Sequence, residues 1–344
     1  MMKRVIAGME LPGFRAELER RGEPGFRAAQ VFSWIYKRGA LEFGKMTDLP
    51  AALRARLEQD YTVTDLSLRQ AQESADGTRK LLLALADGNL VEAVGIPTEK
   101  RLTGCISSQA GCKYACGFCA SGKAGFKRDL IRGDIIGEVL FLRSAFPDKE
   151  LSHIVFMGTG EPLDNYDNVL AAIRLINSPD GLGIGARRIT ISTCGLVPAI
   201  RRLAGEGLQV ELSVSLHAAD DAVRGRIMPV NKKYPLSQLI PACREYAAAT
   251  KRQVTFEYIL IEGVNSDLQN ARRLGTIMRD FNSKVNIIPF NPVDGQPWRA
   301  PAASRVRAFR DALMRTGVPV TVRAPRGQDI DAACGQLRLR HEKP

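Results

Sequence analysis

The sequence predicts an α/β fold, an open or closed barrel of repeated strand–helix units behind a small helical module and a hairpin. Three observations predict it. From about residue 100 onward, strand-like apolar runs alternate with amphipathic helical stretches at roughly 25–45-residue spacing, the rhythm of parallel strands joined by right-handed crossovers. The first 60 residues instead repeat apolar side chains at helical spacing only. A chain of 344 residues with 45% hydrophobic content exceeds one ordinary domain of roughly 150 residues and can bury a large core beside a smaller one.

The elements follow in order. Phe14 to Arg21 forms a short amphipathic helix closed by Gly22, and Phe26 to Tyr36 a second that stops at Gly39. Leu49 to Leu57 is a third, with Pro50 suited to its first turn. Lys80–Leu85 and Leu90–Val94 read as strands around an Asp87-Gly88-Asn89 turn. Strands are then expected at 103–108, 152–157, 187–192, 210–216, 253–260, 284–289 and 318–323. Helices fall at 132–145, 166–177, 196–205, 236–249, 266–281 and 303–316. The resulting division is 1–97 for a helical accessory domain with a hairpin linker, 98–337 for a barrel core ending in a loop, and 338–344 for a basic tail. Barrel sites lie where strands end, which singles out the loops after 108, 157, 192, 216 and 289.

Composition excludes several classes. Charged residues at 25% are ordinary for a folded chain. The apolar stretch after Lys3-Arg4 ends at Glu10, too early for a signal peptide, and no run approaches the roughly 20 apolar residues of a membrane span. A soluble protein of the cytoplasm is therefore expected. An odd count of seven Cys points to metal or redox chemistry rather than a disulfide scaffold. The net charge is +12, and residues 298–344 supply half of it, with ten Lys/Arg against four Asp/Glu. That is the footprint of a protein that meets phosphates, though charge alone does not choose between RNA, DNA and an acidic protein.

Cys112, Cys116 and Cys119 stand at C-x3-C-x2-C. Thiolates at this density repel unless a cationic centre lies among them. Zinc needs four ligands, and neither Cys105 nor His153 completes a zinc spacing, although a distant fourth ligand stays open. Three ligands on a four-iron cluster leave one iron free for a substrate. After the strand at 152–157, Met157-Gly158-Thr159-Gly160-Glu161-Pro162 allows a ligand near the backbone and offers a carboxylate to an ammonium; Leu163 breaks any dinucleotide-binding pattern. A tight turn is the plain alternative for these residues. Asp329 and Asp331 are expected to hold the loop of Cys334, and Cys194 and Cys243 to pack in the core.

The cysteine loop, with its aromatic residue before the last Cys, resembles the radical S-adenosylmethionine (SAM) superfamily. Five segments together resemble the RlmN/Cfr family of RNA adenine methyltransferases: Cys105–Cys112, Met157–Pro162, Ser215-Leu216-His217, Ile288–Pro292 and Asp329–Leu337. The likeness runs from about Phe26 to Leu337 and implies a partial (β/α)6 radical SAM barrel. It implies a [4Fe-4S] cluster on Cys112, Cys116 and Cys119, and two SAM molecules per turnover. It also implies SAM contacts at Gly160, Glu161, Ser192, Ser215, Leu216, His217 and Asn291. By the same resemblance, Cys334 carries the methyl group as S-methylcysteine and Cys105 resolves the RNA adduct through a transient disulfide. Glu92 matches the proton acceptor, a role that Cys105 could also fill. The implied product is C2-methyladenine in the peptidyl transferase centre of 23S rRNA and at adenosine 37 of tRNAs, with an electron donor such as flavodoxin and a monomeric enzyme. C8 methylation of 23S rRNA and a non-catalytic, zinc-stabilised RNA-binding protein are the alternatives.

Overall fold

The computed structural model describes residues 3–99, 101–123, 125–293 and 295–337. The proposed basic tail at 338–344 lies outside the described residues. The N-terminal part holds α1 (Leu11–Arg20), α2 (Phe26–Phe32) and α3 (Ala51–Asp60), tied by a two-residue parallel pairing of β1 (Arg4–Val5) with β2 (Tyr61–Thr62). Phe14 and Phe32 stack in its centre with their rings 5.7 Å apart, and Tyr61 and Tyr36 meet them edge-on. The second helix is shorter than its apolar pattern: after Phe32 the backbone loosens into a wider turn over Ser33–Lys37.

Ten strands form the main sheet, in the order β14-β13-β12-β11-β10-β9-β6-β5-β4-β3. Seven are parallel: β6 (Leu102–Cys105), β9 (Leu151–Phe156), β10 (Ile189–Thr193), β11 (Glu211–Ser215), β12 (Val254–Leu260), β13 (Ser283–Pro289) and β14 (Val320–Val322). Six crossovers join them, so this is the expected (β/α)6 unit. They carry α4 (Arg132–Ala145), α5 (Tyr166–Asn177), α6 (Val197–Ala204), α7 (Asp221–Ile227) with α8 (Leu236–Thr250), α9 (Leu268–Ile277) and α10 (Ala303–Met314). β3 (Ser67–Glu73), β4 (Arg79–Ala84) and β5 (Leu90–Pro97) extend the sheet antiparallel beyond β6. The edges are β14 and β3, so the barrel is open, and the chain from Arg323 to Leu337 lies across the opening.

Burial explains the pattern. All seven residues of β12 are buried, which is why that central strand reads as a near-continuous apolar run. In α5, Val169, Leu170, Ile173 and Ile176 are buried. Each such aliphatic contributes about 1.5–3 kcal/mol on burial, whereas a fully exposed ion pair such as Arg201–Glu245 is screened by water and adds little. The core therefore holds the barrel.

The first barrel strand is shorter than expected. It ends at Cys105 because Ile106–Ser108 turn to hold the next strand's loop: Gly158 N–H donates to Ile106 O at 3.0 Å and Ser108 N–H to Thr159 O at 2.9 Å. Residues 109–111 then form β7, which pairs with β8 (Phe126–Asp129) as a separate ribbon.

Candidate active site

The three clustered cysteines sit at the head of that ribbon. Its base is closed by Cys112 N–H to Gly125 O at 3.0 Å, and Ala115 takes a left-handed φ of 48° to turn the chain between the first two thiols. Neighbours fix the loop from outside: Gly117 N–H donates to Ile227 O at 2.8 Å, and a Cβ on Gly117 would lie 2.6 Å from Trp298. Cys112, Cys116 and Cys119 all line one chamber, partly open to solvent.

Their electrostatics fit a cationic centre. Burial pushes Cys112 up to about 12; burial, then repulsion from Cys119 and Cys112, pushes Cys116 well above the ordinary thiol range. Among the described residues, no group of three or more His, Cys, Asp or Glu closes on a single ion, the arrangement a structural zinc requires. Thiols that each bind a different iron of one cluster need no such convergence. The donor set fits an iron–sulfur cluster.

The opposite wall is built from strand ends, as expected for a barrel. A Cβ on Gly158 would meet Ile106 and Ser107 at 2.7 Å, and Gly160 has φ 104° with Gln109 2.6 Å from any added Cβ, so both glycines are sterically required. Glu161 is buried on the wall: Oε1 accepts from Leu163 N–H at 3.0 Å and Oε2 from Cys194 N–H at 2.7 Å. Burial raises its pKa while those bonds oppose the rise. Ser192 and Ser215 line the chamber from β10 and β11. His217 does so at φ 58°, with its ring edge-on to Phe118 at 4.5 Å. Its Nδ1 accepts from Ile259 N–H at 3.0 Å, leaving Nε2 as the protonated nitrogen, and burial pushes it down to about 3, so the ring is neutral.

Two expected contacts stand behind the wall. Leu216 is fully buried and its carbonyl accepts from Arg224 Nε at 3.2 Å. Asn291 serves the C-terminal loop: Nδ2 donates to Cys334 O at 3.1 Å, and Oδ1 accepts from Gln328 Nε2 at 2.9 Å.

Cys334 lines the chamber beside Gly335. Its loop is fastened at both ends, by Ala120 N–H to Gly335 O at 2.8 Å beside the cysteine cluster and by Ser74 Oγ to Asp329 Oδ1 at 2.6 Å on the hairpin. Cys105 packs with Val94, Ala332 and Leu337 in a small apolar cluster beneath that loop. Burial, then the neighbouring Cys334 sulfur, pushes Cys105 up to about 12. Both are free thiols. Glu92, on β5, is buried against Lys80, Nζ to Oε1 3.2 Å, and is not among the chamber's lining residues. Of the cysteines expected only to pack, Cys243 does so in the core while Cys194 also lines the chamber. Lys80 and Arg323 carried no sequence signal, since each meets its partners only across the fold.

Residues 106–274 match the radical SAM superfamily, and residues 6–63 the ribosomal RNA large subunit methyltransferase N-terminal domain. The chain is 46% identical over 336 residues to the probable dual-specificity RNA methyltransferase RlmN of Akkermansia muciniphila, covering 95% of this chain and 93% of that one. It is 44% identical to the dual-specificity RNA methyltransferase RlmN of Pelobacter propionicus, covering 98% and 96%. In structure it resembles a radical SAM methyltransferase from Sphaerobacter thermophilus, with TM-score 0.93, 41% identity and coverage of 97% and 99%. Among the described residues no helix is long and apolar enough to cross a membrane.

Proposed function

This chain belongs to the RlmN family of radical SAM RNA methyltransferases, and from that premise we propose that it methylates C2 of an adenine, in the peptidyl transferase centre of 23S rRNA and at adenosine 37 of tRNAs. The observation that carries the reading is the junction of two loops: the one bearing Cys334 is hydrogen-bonded to the one bearing Cys112, Cys116 and Cys119, with Cys105 packed directly below. C2 of adenine has no useful nucleophilicity, so polar transfer of a methyl group is blocked and the carbon must arrive on a radical carrier.

Cys112, Cys116 and Cys119 would hold the [4Fe-4S] cluster through their three thiolates. Gly160, Glu161, Ser192, Ser215 and His217 face SAM, with Leu216 and Asn291 supporting from behind. When bound, the cluster and SAM would supply an activated methyl group and a one-electron route to a hydrogen-abstracting radical. Cys334 takes the methyl group on sulfur, loses a hydrogen atom from it, and presents the carbon to the base. Cys105 then frees the RNA by attacking the Cys334 sulfur: the S–S bond forms as the sulfur–methylene bond breaks. The carbon keeps that pair and takes up a proton to become the methyl group, and the odd electron left by radical addition returns through the redox partner that supplied one to SAM. Glu92, held by Lys80, or Cys105 itself accepts the proton from the base. The target base has to be splayed out of its stack to reach this chamber.

The test is methylation of rRNA and tRNA fragments with labelled SAM, followed by nucleoside analysis. The expected product is 2-methyladenosine; 8-methyladenosine would assign the other regiochemistry. Cys334→Ala is expected to keep its iron and give no methylated RNA, and methylation by that variant would end the proposal.

A further inference from the structure

Arg224, in the middle of α7, is one of the largest side chains of the molecule to be wholly buried. A guanidinium carries five N–H donors in one plane, and here every one is spent. Nε donates to Leu216 O at 3.2 Å. Nη1 donates to Asn231 Oδ1 at 2.8 Å and Tyr234 O at 3.3 Å, and Nη2 to Cys194 O at 2.8 Å and Ser215 O at 3.2 Å. None of the five acceptors is a carboxylate. Burying a cation on neutral oxygens alone is costly, and an aliphatic side chain would join a helix to a sheet at less cost.

Three of the acceptors are carbonyls at the C-terminal ends of β10 and β11, in the wall of the chamber, where Cys194 and Ser215 are lining residues. From Cys194 a second bond runs on: its N–H donates to Glu161 Oε2 at 2.7 Å, so a single residue separates the guanidinium from that carboxylate. The seat of the fork is shaped for it. Gly195 takes φ 108°, and a Cβ there would lie 3.3 Å from Nη2. On the far side Asn231 is itself oriented, its Nδ2 donating to Asp221 O at 3.2 Å, which aims Oδ1 at the arginine.

We propose that Arg224 is a positioning residue for SAM: by holding Cys194 and the ends of β10 and β11, it fixes the N–H that aims the Glu161 carboxylate at the SAM amino group. This rests on the reading above that Glu161 faces SAM. A carboxylate free to turn about its own side chain is only partly in the binding conformation, and affinity falls by that fraction. Arg224 is not among the chamber's lining residues, so its effect has to pass through Cys194 and Glu161.

SAM binding is measured anaerobically by equilibrium dialysis in cluster-loaded protein, beside iron content. Arg224→Lys keeps the charge but not the five-donor plane, and is expected to weaken SAM binding about tenfold with iron content unchanged. Glu161→Gln is expected to weaken it at least as much. The double variant reads the route: Arg224→Lys with Glu161→Gln should bind SAM within about threefold of Glu161→Gln alone.

Additive losses in the double variant overturn the proposal, because Arg224 would then act elsewhere. So does wild-type affinity in Arg224→Lys, or iron lost in step with SAM, which would make the residue a general brace. Should Arg224→Lys not fold, Asn231→Leu leaves the arginine in place and removes the acceptor that steadies its fork. That variant is expected to weaken SAM binding about threefold, again without adding to Glu161→Gln, and wild-type affinity in it overturns the proposal as well. The underlying reading fails separately: if Glu161→Gln alone binds SAM normally, Glu161 does not face SAM, whereas a weakened Glu161→Gln beside a normal Arg224→Lys removes Arg224 alone.

Discussion

Lys80 and Glu92 place a basic and an acidic side chain side by side in the interior. Both are less than a tenth exposed, 3.2 Å apart, and Lys80 also reaches Asp331 O at 3.4 Å. A buried pair contributes little net stability, but removing one member takes away compensation that the other's burial requires, at a cost of up to roughly 3–5 kcal/mol. Lys80→Met is therefore expected to lose about that much in urea unfolding, and Lys80→Met with Glu92→Leu to regain most of it. A single variant as stable as the wild type would show that Glu92 is satisfied without Lys80. The residue scale is also where the sequence was most uneven. Cys112, Cys116 and Cys119 announce themselves because their chemistry lies in their spacing. Lys80 and Arg323 do not, because a lysine in a leucine-rich strand and an arginine among exposed residues acquire meaning only from Asp331 and Met157, far away along the chain.

At the level of elements, the loop from Arg323 to Leu337 depends on the hairpin beside it. Asp329 accepts from Ser74 Oγ at 2.6 Å and from Ala75 N–H at 3.2 Å, and Asp76 accepts from Gly327 N–H at 3.1 Å. Asp329→Ala is expected to lower hydrogen-exchange protection of residues 327–337 by roughly tenfold and to slow methylation of Cys334, with protection of β12 unchanged. Equal loss in both segments would point to global destabilisation instead. The hairpin's two inner strands and six of the barrel's helices were legible from periodicity. β3 was not, because SLRQAQE is half polar on an exposed edge and gains its strand geometry from pairing with β4. Nor was α7, a seven-residue helix begun by the Asp220 side chain, which accepts from Val223 N–H at 2.8 Å.

For the whole molecule, the +12 charge belongs to the surface, while the reaction belongs to a chamber with a single described lysine or arginine. The two should separate under salt. RNA affinity is expected to fall steeply and linearly with log salt, by roughly 0.7–0.9 in slope per phosphate contact, while reductive cleavage of SAM in the absence of RNA stays level. Salt sensitivity shared by both would place mobile charge inside the chamber. The fold class was readable from strand–helix alternation; that rhythm alone left the barrel open or closed, since closure is decided by edges and not by period, and the partial barrel implied by the family resemblance agrees with the opening between β14 and β3. Across that opening, Ala120 N–H donates to Gly335 O and Ser121 Oγ to Leu337 O, which ties the turn of Cys112, Cys116 and Cys119 to the turn of Cys334. Coupling of this kind is reciprocal: whatever free energy the cluster spends ordering Cys334, an ordered Cys334 loop returns in full as tighter retention of the cluster.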